Sequence, residues 1–212
     1  MASSKGIRWS GLLAVLGSIL WTATWILVAF TAGGTRDVFG LSERGWRTLL
    51  LNPAMLFFMA GLVGFQAKQA GRSGRLAKGG YVICLLGLGI MLLGNIIEFW
   101  VSDPFYGTQE PGWEMMGVGL LLLPISLLLF GIGTLKASVF SGWRRAVPLG
   151  FGVILALVIL SGVALMLLSG SHSQVGSFRA VVLTIAFGWG VLGAALWSDQ
   201  GEDVSRSDQG TG

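Results

Sequence analysis

Apolar residues run along this chain in six long blocks separated by short polar stretches. The blocks cover 11–32, 49–66, 79–101, 115–135, 146–168 and 180–198. A hydrocarbon layer about 30 Å thick takes about 20 residues of helix to cross, and each block reaches or nearly reaches that length. In such a layer every backbone N–H and C=O must be satisfied within the segment, so helices are expected and open strands are not. The only charge inside a block is Glu98, close to the end of the third. The pattern predicts an all-α integral membrane protein, with a compact six-transmembrane-helix bundle over residues 1–198. The acidic, Gly- and Ser-containing stretch 199–212 is expected to be a disordered tail.

Lys5 and Arg8 precede the first block, as in a signal peptide. A signal peptide's apolar region runs only about 7–15 residues before a small-residue cleavage site. This block is longer, and Phe30-Thr31-Ala32-Gly33 is a poor cleavage match, so a retained helix is expected.

Charge fixes the expected orientation. Ten basic residues fall on one side of the blocks: Lys5, Arg8, Lys68, Arg72, Arg75, Lys78, Lys136, Arg144, Arg145 and Arg206. Four fall on the other, namely Arg36, Arg44, Arg47 and Arg179. Basic loops stay inside, so both termini are expected in the cytoplasm and the protein in a cell (inner or plasma) membrane. Among the connections assigned outside, 33–48 is the longest, and Val38, Phe39, Leu41 and Trp46 suit a short amphipathic surface segment.

Composition agrees with this class. Hydrophobic residues make up 53% and charged residues 11%, against about 25% charged in a soluble domain. Glycine occupies 34 of 212 positions, roughly twice its usual ~7%, as suits helices that pack through small residues. Nine tryptophans suit the headgroup zone. The net charge of +4 is spread over short patches and lacks the basic face that nucleic acid requires. Nucleic acid is therefore excluded as a partner. The single cysteine, Cys84, can form no internal disulfide and reads as a small apolar residue.

Candidate chemistry is sparse. Asn95, Glu98, Asp103, Glu110 and Glu114 form an outer polar cluster. Helical spacing lets Asn95 share a face with Glu98, and Glu110 with Glu114. Such oxygens suit a hard cation or cationic ligand; they equally suit pairing with the four outer arginines. Glu98 is expected to point into the bundle, because a charge facing hydrocarbon is costly. Pro53 and Pro124 are candidate kinks. Ala186, Gly190 and Ala194 form a small-xxx-small stripe expected to pack on another helix, as do Ala14, Ser18 and Thr22, and the pair Ala60 and Gly64.

His172 is the only histidine, which rules out bis-histidine haem ligation within the chain. Ser171-His172-Ser173 reads as a solvated loop, since a catalytic triad is a matter of geometry and not of adjacency. Zinc, Walker and dinucleotide motifs are missing from the sequence. No cofactor is expected, and an enzyme is the least favoured class.

The segment Gly34-Thr35-Arg36-Asp37-Val38-Phe39 with Gly45-Trp46-Arg47 is echoed by Gly133-Thr134-Leu135-Lys136 through Val139-Phe140 with Gly142-Trp143-Arg144. A weak 3+3 inverted repeat, as transporters use, is one reading of the echo; chance similarity is the other.

Two functions follow as expectations. The first is a non-catalytic membrane protein, an accessory or assembly subunit or a sensor, acting through helix–helix contacts. Its partners would be the lipid bilayer and a second copy or another membrane protein. The alternative is a carrier for a small neutral, cationic or lipid-like solute.

Overall fold

The computed structural model describes residues 4–31, 38–41, 43–101, 111–169 and 174–198. Among these the structure is helical, apart from turns and an isolated bridge between Val38 and Leu41. The helices are α1 (Ser4–Thr31), α2 (Glu43–Trp46), α3 (Asn52–Gln69), α4 (Arg75–Ile96), α5 (Pro111–Ala137), α6 (Val147–Ser169) and α7 (Gln174–Ser198). A π-helical segment, Arg47–Leu51, joins α2 to α3 without a break, and another, Ile97–Val101, extends α4. A 3-10 turn, Gly142–Ala146, leads into α6. Among the described residues, six helices are long and apolar enough to cross a membrane.

Several helices outrun the apolar blocks that predict them. α1 begins at Ser4 and not at residue 11, and α5 begins at Pro111 and not at 115. The second span begins at Arg44, so part of the expected 33–48 connection is helix. Hydropathy marks the portion suited to hydrocarbon, whereas backbone hydrogen bonding carries a helix on into its polar ends.

The six long helices form a ring in chain order. α1 packs on α3, α3 on α4, α4 on α5, α5 on α6, α6 on α7, and α7 closes against α1. Ser4 and Ser198 therefore lie at one end, here the terminal end, and the last residues of α4 and the first of α5 lie at the opposite, distal end.

The closest seam joins α4 to α5. Gly80, Gly87 and Gly94 recur every seven residues on α4, and Gly112, Gly119, Ser126 and Gly133 do so on α5. A seven-residue repeat keeps one seam facing the partner helix. A Cβ on Gly119 would lie 2.5 Å from the Gly87 carbonyl oxygen, and one on Gly94 would lie 2.6 Å from that of Gly112. On Gly133 it would meet the Ala77 backbone nitrogen at 2.5 Å. Only glycine permits backbones this near.

Among the described residues, aromatic rings and leucines pack the middle of the interior. Trp189 of α7 is fully buried, stacks on Phe58 of α3 and meets Phe151 of α6 edge-on. Phe65 of α3 meets Phe130 of α5 and stacks on Phe140. Leu62, Leu88, Leu123, Leu127 and Cys84 fill the space between them.

Candidate functional site

At the distal end the two π segments touch, and polar and aromatic side chains from both of them and from α1 to α5 meet there. Pro53 lies in the first turn of α3, directly after the Arg47–Leu51 segment. Its ring lacks a donor and crowds the carbonyl four residues earlier, that of Leu49. Widening the preceding turn to a π register relieves this contact, and such segments are frequent at functional sites. Pro124 is buried inside α5, which continues through it. Close by, the Ser126 hydroxyl donates to the Leu123 carbonyl at 2.8 Å.

Arg47 departs most from expectation. Assigned by sequence to an outer loop, it is only 8% exposed and lies within the second span. Its guanidinium carbon sits 4.8 Å from the Trp25 ring centroid, 5.0 Å from that of Trp113 and 5.5 Å from that of Phe99. Three aromatic faces thus surround it, brought by α1, α5 and the π end of α4. A flat, delocalised, weakly hydrated cation stacks on such rings where an ammonium would be poorly accommodated. The expectation that Glu98 is the only charge within the spans is corrected accordingly.

Arg44, one turn earlier, does different work. Its Nε donates to the Phe99 carbonyl at 3.0 Å and its Nη2 to the Glu98 carbonyl at 3.1 Å. Carbonyls near a helix C-terminus lack intrahelical donors, and here an arginine from the neighbouring span supplies them.

Asn95, Glu98 and Glu114 of the predicted outer cluster lie among the described residues. Asn95 is fully buried and its Nδ2 donates to Asn52 Oδ1 at 2.7 Å, tying α4 to the first residue of α3. Its own Oδ1 is buried and accepts no hydrogen bond. Glu98, one turn further on, is buried at 7% exposure. Glu114 is exposed on α5, while its neighbour Trp113 faces Arg47. Asp103, Glu110, Arg36 and His172 lie outside the described residues. Of the other candidate counter-charges, Arg44 and Arg47 reach this helix end and Arg179 is exposed on α7. Among the described residues no group of three or more His, Cys, Asp or Glu side chains is placed to hold a metal. Among the described residues, arginine, indole and amide groups make up most of the site, with Glu98 buried beside them.

The stripe predicted on α7 is offset. Ala186 is buried, and a Cβ on Gly190 would meet the Ser18 hydroxyl at 3.0 Å, but Ala194 is exposed. Gly193, one residue earlier, makes the tight crossing, with its Cβ position 2.5 Å from the Gly11 carbonyl. A four-residue step overshoots the 3.6-residue turn of an α-helix, so a strict four-residue stripe drifts off the contact face. On α1, Ala14 packs on Gly61 of α3.

Beside the Arg47 cage lies an apolar cavity of about 120 Å³, to which Trp25 and Trp113 contribute. The Trp21 indole N–H at its wall donates to the Val182 carbonyl at 3.1 Å, fastening α1 to α7. A second apolar groove, about 380 Å³, runs between α6 and α7 past Gly150, Ile154 and Phe187.

Sequence reasoning offered Arg47 as one of four outer counter-charges and did not single out Trp25, Phe99 or Trp113. The available signal was Arg47 only two residues ahead of an apolar block that also carries Asn52-Pro53. No protein-family model matches the chain, and comparison with curated proteins and with solved structures finds no match either.

Proposed function

We propose that this chain is a non-catalytic, multi-pass membrane protein that works from its perimeter, as an accessory or assembly subunit, and not through its centre. The observation carrying this reading is the packed middle of the interior among the described residues. Trp189 and Phe58 stack across the ring with centroids 4.8 Å apart, and Phe151 seals their flank. A carrier needs a substrate site near mid-membrane, lined by polar groups or broken helices. Here that level holds aromatic rings and leucines.

The perimeter offers more. Leu160, Ser161, Val163, Ala164, Leu165, Leu167 and Leu168 of α6 are all exposed. In a packed bundle a peripheral helix normally keeps one face on its neighbours, so this half of α6 is suited to receive another transmembrane helix. Small residues Ser161 and Ala164 favour close approach there. Crosslinking from α6 in intact membranes tests the reading.

The carrier alternative draws on the sequence echo, but the echoed positions occupy unlike surroundings. Phe39 is 89% exposed whereas Phe140 is 3% exposed. Arg47 is caged by rings, whereas Arg144 sits half-buried in a 3-10 turn. A cell-membrane location with cytoplasmic termini, and thus an outward-facing distal end, completes the proposal; the basic asymmetry supports it.

A further inference from the structure

The terminal end of the bundle carries charge of one sign. All the basic residues assigned to that side except Arg206 lie among the described residues, and no described Asp or Glu stands with them. The ends of α3, α4 and α5 meet at one corner of it. Phe65 of α3 touches Phe130 of α5 and, just beyond that helix, Phe140. The Ala77 backbone of α4 abuts Gly133 of α5. Arg72, Arg75 and Lys78 stand around the start of α4, Lys136 in the last turn of α5, and Arg145 in the 3-10 turn that follows. All five are exposed.

Their depth follows from the length of the spans. Arg75 opens the 25-residue third span, and Lys136 lies at the close of the 27-residue fourth. At about 1.5 Å per residue these spans run roughly 38–40 Å. That exceeds the ~30 Å hydrocarbon layer and approaches the bilayer's thickness with its headgroups. Exposed Trp9, Trp143 and Trp197 mark the same end, and indoles favour the headgroup zone.

We infer that this corner binds anionic phospholipid headgroups in preference to zwitterionic ones. A phosphodiester accepts charge-assisted hydrogen bonds from guanidinium and ammonium groups, and basic clusters at the margin of a span attract anionic lipid. A choline or ethanolamine headgroup brings its own cation, for which the described residues of this end offer no carboxylate. Beyond Ser198 the chain carries Asp199, Glu202, Asp203 and Asp208, with Arg206 among them. Those four acids are outnumbered by the bases of this end and leave most of its charge to the headgroups. The inference rests on the chain spanning a bilayer, but neither on its orientation nor on a protein partner.

Lipid retention tests it. The full chain is placed in phosphatidylcholine discs with a minor fraction of phosphatidylglycerol bearing the same acyl chains, then transferred to mild detergent. Mass spectrometry counts the lipids that stay bound. Phosphatidylglycerol is expected among them at several-fold its share of the disc. Arg72→Gln, Arg75→Gln, Lys78→Gln, Lys136→Gln and Arg145→Gln made together should return the ratio to that of the disc, with the fold kept because all five are exposed. Arg75→Gln with Lys136→Gln, a milder change, should already lower it. Arg179→Gln, exposed at the distal end, should leave the enrichment in place. So should Asp199→Asn, Glu202→Gln, Asp203→Asn and Asp208→Asn made together. Enrichment seen only in that last variant would put the chain's own acids on the corner and overturn the inference. A wild type without enrichment, or enrichment that survives loss of the basic residues, would overturn it too. Failure of the chain to enter discs at all would overturn it together with the membrane reading beneath it.

Discussion

Gly119 of α5 faces Gly87 of α4 so closely that a Cβ on Gly119 would sit 2.5 Å from the Gly87 carbonyl oxygen. The atom there is backbone and cannot swing aside, so bulk at this point must part the two helices. Gly119→Leu should therefore abolish the monodisperse, detergent-solubilised protein or lower its Tm steeply. Gly190→Leu should cost less, because its nearest neighbour is the movable Ser18 hydroxyl. Ala194→Leu, on an exposed face, should be silent. Ranking the three variants by thermal melting checks the seam, and equal melting temperatures for Gly119→Leu and Ala194→Leu would sink it.

That ranking differs from what the sequence alone suggests, and the reason is physical. Six helices were legible because lipid demands continuous apolar runs and internal hydrogen bonding, a requirement local to each segment. The seam was harder to read. Small residues every four positions, as at Ala186, Gly190 and Ala194, drew attention, while the seven-residue spacing of Gly80, Gly87 and Gly94 and of Gly112, Gly119, Ser126 and Gly133 carries the tightest contact. The second pattern becomes informative only once α4 and α5 are known to pair. Arg47 was misread for a related reason. Hydropathy treats it as a boundary, yet the rings of Trp25, Phe99 and Trp113 that let it enter the bundle come from elements distant in sequence.

Arg47 should not tolerate lysine. Arg47→Lys keeps the charge but loses the planar face that stacks on three rings. Desolvated cation–π contacts contribute up to about 2 kcal/mol, so a loss of about 1–2 kcal/mol is expected. Thermal melting in one detergent, compared with Lys68→Arg as a control near Phe140 at the opposite end, provides the check. A melting curve for Arg47→Lys that overlays the wild type would mean that the cage is not a binding arrangement at all.

Orientation is open to direct labelling. In a Cys84→Ala background, a cysteine at Gly107 should react with an impermeant maleimide on intact cells, and one at Arg75 only after permeabilisation. The expectation comes from the ten-to-four basic asymmetry across the spans. The reverse pattern would turn the distal cage toward the cytoplasm.

The most direct test of a protein that works from its perimeter is crosslinking in the native membrane. A photo-reactive amino acid is placed at Leu160 or Ala164 on the exposed half of α6, and at buried Leu155 as a reference. A discrete product of higher mass from the two exposed sites, containing either another membrane protein or a second copy of the chain, is the predicted result; Leu155 should yield none. Only the uncrosslinked monomer from Leu160 and Ala164, in cells that express the protein at its normal level, would contradict the account.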